Sequence, residues 1–101
     1  MAVCSVEVVP LGTKGPSVSS YVASCLKVLN DYPDLKYQLT PMSTVIEGDV
    51  GRIFEAVLKM HQTPFASGAQ RVVTSLKLDE RRDKELTMKG KVDAVQSKLS
   101  R

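Results

Sequence analysis

Ser43, Thr44 and Glu47 gather two hydroxyls and a carboxylate in the short stretch Pro41-Met42-Ser43-Thr44-Val45-Ile46-Glu47-Gly48. Each hydroxyl can donate and accept a hydrogen bond, and the carboxylate adds acceptors only. Such a set can read the edge of a small polar ring. A plain turn followed by a short edge strand with its polar residues in water would use the same residue types. Glu7 adds a further carboxylate early in the chain, and Tyr37 a ring that can stack on a ligand.

The other reactive residue types point away from catalysis and metal binding. His61 is the only histidine, with no nucleophile or orienting carboxylate visibly paired with it. It reads as a packed or capping side chain near a helix end, where an imidazolium suits the helix dipole. Asp79, Glu80 and Asp83 are interleaved with Arg81 and Arg82. That is a surface charge network, since a hard cation wants an oxygen cage free of competing cations. Cys4 and Cys25 have neither CxxC spacing nor a Cys/His cluster around them and read as small buried hydrophobes. Catalytic residues, metal and cofactor are all expected to be absent.

The chain has 101 residues and a net charge of +3. That length predicts one domain over residues 1–101, and a surface large enough for oligomerisation to add useful burial. Much of the positive excess falls at Lys84, Lys89, Lys91, Lys98 and Arg101, among Glu85 and Asp93. This mixture reads as a solvated helix face, and nucleic acid is not an expected partner. The N-terminus reaches Glu7 without a basic region or a long apolar run, and no stretch is long enough to span a membrane. A cytoplasmic, reducing location is the expectation.

These candidates need a scaffold. Residues 2–10 alternate, with Ala2, Cys4, Val6 and Val8 on one side and Val3, Ser5, Glu7 and Val9 on the other. Pro10 to Pro16 is a loop, and Ser17 a helix N-cap. Val18, Tyr21, Val22, Cys25, Leu26 and Leu29 then mark an amphipathic helix to about Asn30. Leu35, Tyr37 and Leu39 alternate in a second strand, and a third runs from about Thr44 to Glu47. Asp49 is a cap for a helix carrying Val50, Ile53, Val57 and Met60, which should end before Pro64. Val72, Thr74, Leu76 and Leu78 give a fourth strand, and Met88, Val92, Val95 and Leu99 a final helix whose start is blurred by Gly90.

The order βαββαβ plus a helix predicts an α+β, ferredoxin-like sandwich: a four-stranded antiparallel sheet with both crossover helices on one face. The opposite face would collect Ser5, Glu7, Gln38, Ser75 and Lys77 with Val3, Val9 and Val73. That face is too polar for a core and too apolar for plain solvent. A Glu7–Lys77 ion pair across it is one expectation.

Pro10-Leu11-Gly12-Thr13, Ser19-Ser20-Tyr21-Val22-Ala23, Tyr37, Met42-Ser43-Thr44, Glu47, His61, Gly68 and Arg71-Val72-Val73-Thr74 form an ordered set with Lys77 to Asp83 and Lys91-Val92. Together, over nearly the whole chain, they resemble the small thiamine-binding protein family of bacteria, archaea and fungi. The resemblance implies a ferredoxin-like protomer assembling into homodimers or homotetramers. It also implies binding of thiamine or its hydroxymethylpyrimidine moiety without a defined catalytic role. Thr44 and Glu47 match the family pattern; at Ser43 relatives often carry Gly or Asn. Glu47 and Thr44 are then expected to hydrogen-bond the pyrimidine edge, with Tyr37 or first-strand residues lining the pocket and Glu7 or Glu47 favouring the cationic thiazolium. Two other readings stay open: a structural protein whose sheet face only joins protomers, and an enzyme of unassigned activity.

Overall fold

The computed structural model describes residues 1–12 and 19–100. The expected Ser17 cap and most of the loop before it lie outside the described residues. The elements are β1 (Ala2–Leu11), α1 (Ser19–Val28) with a 3-10 turn at Leu29–Asp31, β2 (Lys36–Leu39), β3 (Thr44–Gly48), α2 (Val50–Ala66), β4 (Arg71–Glu80) and α3 (Met88–Leu99). The strands form one antiparallel sheet in the order β2-β3-β1-β4. This is the α+β, ferredoxin-like arrangement expected from the alternation of strand and helix periods.

The alternation in β1 sorts its side chains as its sequence pattern requires. Ala2, Cys4 and Val6 join Ile46 of β3, Cys25 and Leu29 beside them, and Ile53, Ala56, Val57 and Met60 of α2 in one core. Ile46 and Ile53 are wholly buried, each worth roughly 1.5–3 kcal/mol of transfer free energy. Asp49 caps α2 by accepting from the Arg52 N–H at 3.2 Å. The Arg52 guanidinium meets both oxygens of Asp34 at 2.9 Å, reaches Glu55 at 2.8 Å and lies 4.5 Å from the Tyr32 ring centre. It thereby ties the segment leading into β2 to α2, and it holds the Asp34 carboxyl below the usual carboxylate range.

Two boundaries differ from the sequence expectation at prolines, and β4 also runs past Leu78 through Asp79 and Glu80, expected to begin a charged exit loop. The second helix does not stop before Pro64 but runs on to Ala66, with Pro64 buried inside it. Proline lacks the N–H that would bond the carbonyl four residues back, here Met60. The Cys25 thiol donates to that carbonyl instead, at 3.4 Å. The first strand also passes Pro10 and ends at Leu11. β3 pairs with β1 only over Ala2 to Val6, whereas β4 pairs with it along its whole length. From Glu7 onward β1 is therefore open on its β3 side among the described residues, and a proline there need not break a ladder.

α3 starts cleanly despite Gly90. Thr87 caps it, accepting from the Gly90 N–H at 2.9 Å, and a Cβ at Gly90 would crowd that same oxygen. The helix buries none of its residues, so Val92, Val95 and Leu99 stay exposed. The molecule is correspondingly long, 49 × 29 × 19 Å.

Candidate functional site

Strand registers decide which candidate residues can meet. Directly opposed residues of an antiparallel pair share a face. Val3, Ser5, Glu7 and Val9 oppose Asp79, Lys77, Ser75 and Val73, while Val45 and Glu47 oppose Ser5 and Val3. Those side chains, with Gln38 and Lys36 of β2, make up the face away from the two crossover helices, and the start of α3 lies at its Glu47 end. Tyr37 opposes Ile46, and Thr44 opposes both Val6 and Leu39, which puts Tyr37 and Thr44 on the helix side. Thr44 and Glu47 therefore point to opposite faces of the sheet. The expectation that they jointly read one ring edge is corrected on geometry: an offset of three along a strand changes face.

Glu47 is only 5% exposed, and its Oε1 accepts the Met88 N–H at 2.8 Å. Met88 is the first residue of α3, so this carboxylate satisfies an orphan helix N–H and sits at the positive end of the helix dipole. Lys91 meets Asp79 at 2.7 Å nearby and steadies the same helix. Ser43 lies beside Ser5, whose hydroxyl donates to it at 2.8 Å. Glu7 is exposed and stands opposite Ser75, with Lys77 one pair along opposite Ser5; the expected Glu7–Lys77 ion pair is not formed.

Thr44 has different surroundings. It is 6% exposed, and its hydroxyl makes no hydrogen bond among the described residues. It lines a pocket of about 170 Å³ between the open part of β1, the β2–β3 turn and the two crossover helices. Val8, Val22, Cys25, Leu39, Met42 and Met60 supply apolar walls, and Ser43 and Glu7 also border the cavity. Drug-sized ligands occupy pockets of roughly 300–1,000 Å³; this one suits a single small ring. The turn that forms its rim is tied by three hydrogen bonds between Thr40 and Ser43. Thr40 accepts from the Ser43 N–H through its hydroxyl at 3.1 Å, and both its own N–H and its hydroxyl donate to the Ser43 carbonyl, at 2.8 and 2.7 Å. Met42, at the tip of this turn, is 80% exposed.

Of the residues expected in the site, Thr44, Ser43 and Glu7 border this pocket, while Tyr37 and Glu47 do not. The walls contributed by Val8, Val22 and Met60 read in sequence only as core positions of amphipathic elements. His61 is packed, its Nδ1 2.6 Å from the Thr74 hydroxyl and its ring edge-on to Phe65. Burial pushes the Cys25 thiol up, so it is protonated at neutral pH and suited to donate to Met60.

Comparison with known proteins adds a lineage to this geometry. Residues 4–96 match the family described as thiamine-binding protein. The UPF0045 protein YqgV of Bacillus subtilis is 43% identical over 98% of both chains, and a Staphylococcus xylosus UPF0045 protein is 47% identical over 99% of this chain and 96% of its own. The crystal structure of the hypothetical protein MJ1052 from Methanocaldococcus jannaschii superposes with a TM-score of 0.85 at 44% identity, covering 94% of this chain and 95% of the other. A Thermotoga maritima protein, proposed to act in thiamine biosynthesis or salvage, has a TM-score of 0.77 over 93% of this chain and 97% of the other; at 21% identity it speaks for the fold alone. None of these names carries a catalytic activity.

Proposed function

This chain belongs to the thiamine-binding protein family, and from that premise we propose that it is a non-catalytic binder of thiamine or of its hydroxymethylpyrimidine moiety. The observation that carries the reading is Thr44, a residue only 6% exposed whose hydroxyl has no hydrogen-bond partner among the described residues and borders a pocket walled largely by apolar side chains. A hydroxyl open to the pocket is free to donate to or accept from a ligand, and such a hydrogen bond contributes about 0.5–1.5 kcal/mol net. An aminopyrimidine ring offers an exocyclic amine and ring nitrogens to such a group, while Val8, Val22 and Met60 take its faces. Glu7 at the border favours the cationic thiazolium.

Isothermal titration of the purified protein tests this. Saturable heat with thiamine or hydroxymethylpyrimidine supports the reading, and its loss in Thr44→Val ties the site to this pocket. An absence of binding at millimolar ligand rejects it.

A second reading is favoured by the exposed end of the sheet face away from the crossover helices. Val9 and Val73, opposed to each other there, are 40% and 43% exposed, next to Ser5, Glu7, Ser75 and Lys77. A half-apolar sheet face of this kind suits a second copy of the chain, in a homodimer or homotetramer. Under this reading assembly is the whole role. Light scattering that gives a monomer at micromolar concentration excludes it.

A further inference from the structure

The open edge of β1 carries more chemistry than its side chains. In an antiparallel ladder a residue turns its N–H and C=O together toward one neighbour, and the next residue turns both toward the other. Two observations fix which β1 residues face β3. The Thr40 N–H donates to the Ser43 carbonyl at 2.8 Å, so Ser43, Val45 and Glu47 turn their peptide groups toward β2. Thr44, Ile46 and Gly48 then face β1, where their partners are Val6, Cys4 and Ala2. Even-numbered β1 residues thus face β3. Pro10 independently agrees, because its missing N–H must fall on the side without a partner strand.

Val8 is the next residue in that series, and β3 pairing ends at Val6. No backbone bond between Val8 and the β2–β3 turn is formed among the described residues. Its N–H and C=O are therefore a donor and an acceptor side by side, at the border of the pocket that Thr44 lines. We infer that the Val8 peptide group reads the amine-and-ring-nitrogen edge of a 4-aminopyrimidine, the carbonyl accepting from the amine and the N–H donating to the ring nitrogen. The inference rests on the pyrimidine-binding reading and adds to it a rule of selectivity. A 4-oxo pyrimidine replaces the amine donor with an acceptor and the neighbouring ring nitrogen with a donor, reversing both hydrogen bonds. A peptide group cannot rotate to suit it, as a serine or glutamine could.

The test is an amide-resolved NMR titration with thiamine and with its 4-oxo analogue, alongside the Val8→Pro variant. That variant removes an N–H facing the open side and leaves the β4 ladder intact. The inference expects the Val8 amide proton to move downfield with thiamine. It expects the 4-oxo analogue to bind at least about tenfold more weakly, the scale of a mismatched buried hydrogen bond. Folded Val8→Pro should lose thiamine affinity by a similar factor. Thiamine binding with the shifts centred on Ser5 and Val45, or with equal affinity for both pyrimidines, overturns the inference and leaves the binding reading standing. No shift with either compound overturns both. If Val8→Pro fails to fold, the two-compound comparison still decides.

Discussion

The Cys25 thiol lies 3.4 Å from the Met60 carbonyl, which is free to accept it because Pro64 offers no N–H one turn later. Two residues that read as an inert hydrophobe and a helix stop are thus coupled through a third. Cys25→Ala should destabilise the fold by about 1–2 kcal/mol, the cost of an orphaned buried carbonyl plus a small void. Cys25→Ser, which keeps a donor, should lose less. Pro64→Ala supplies the helix with its own N–H, so Cys25→Ala should cost less in that background. Urea unfolding of the four proteins of the cycle measures the coupling; strict additivity would refute it.

Thr44→Val keeps the shape and removes the hydroxyl. Thiamine affinity should fall by about tenfold, in line with one hydrogen bond. Glu47→Gln, altered on the other face of the sheet, should leave affinity within about twofold. Calorimetric titration of both variants separates the two residues; a larger loss in Glu47→Gln than in Thr44→Val would reverse the assignment.

Glu47→Ala should instead loosen α3. Its Met88 N–H loses a charged acceptor, and a stability loss of roughly 1–3 kcal/mol is expected. Hydrogen exchange should quicken in the first turn of α3 and not in α2. Uniform exchange across both helices would show that the carboxylate does not hold this end.

Burial lifts the Cys4 thiol from its ordinary 9.0 to about 11. A raised folded-state value contributes stability that is complete below about pH 9 and is lost as the pH climbs through about 11. Thermal melts should be flat with respect to this group at neutral pH and fall across that alkaline window. Cys4→Ala should flatten the fall. At pH 8 neither Cys4 nor Cys25 should react with a thiol reagent until the protein unfolds, since both are buried.

Gly48 closes β3 against Leu35. A Cβ at Gly48 would overlap the Leu35 Cδ2, and Leu35 is itself buried in the core. Gly48→Ala should cost about 1–3 kcal/mol by overpacking. Leu35→Val in the same chain should recover part of it, which a melting comparison can check.

The strands and helices were legible because their apolar residues repeat at two distinct periods. Two errors of boundary came from treating proline as a stop, and a third from reading the charged Asp79 and Glu80 as loop when they continue β4. Pro64 survives inside α2 through a thiol on another helix, and Pro10 survives in β1 because the neighbouring strand has already ended. Neither fact is local. The candidate site was half legible: Thr44 and Glu47 stood out by type, and the two-residue period of a strand already says they face apart. What no local pattern could give was the partner of Glu47, since Met88 lies 41 positions further along. The pocket walls were equally hidden, because Val8, Val22 and Met60 look like any core residues until the hairpin fails to cover them.

The capping of α3 by Glu47 also limits how this chain can be trimmed. A version cut just after β4 would keep every strand and both crossover helices, yet it would strip cover from an anion set into a β-layer. Such a shortened protein should melt earlier than the whole chain. The last helix is thus a counterweight the sheet requires, even though none of its own side chains is hidden from water.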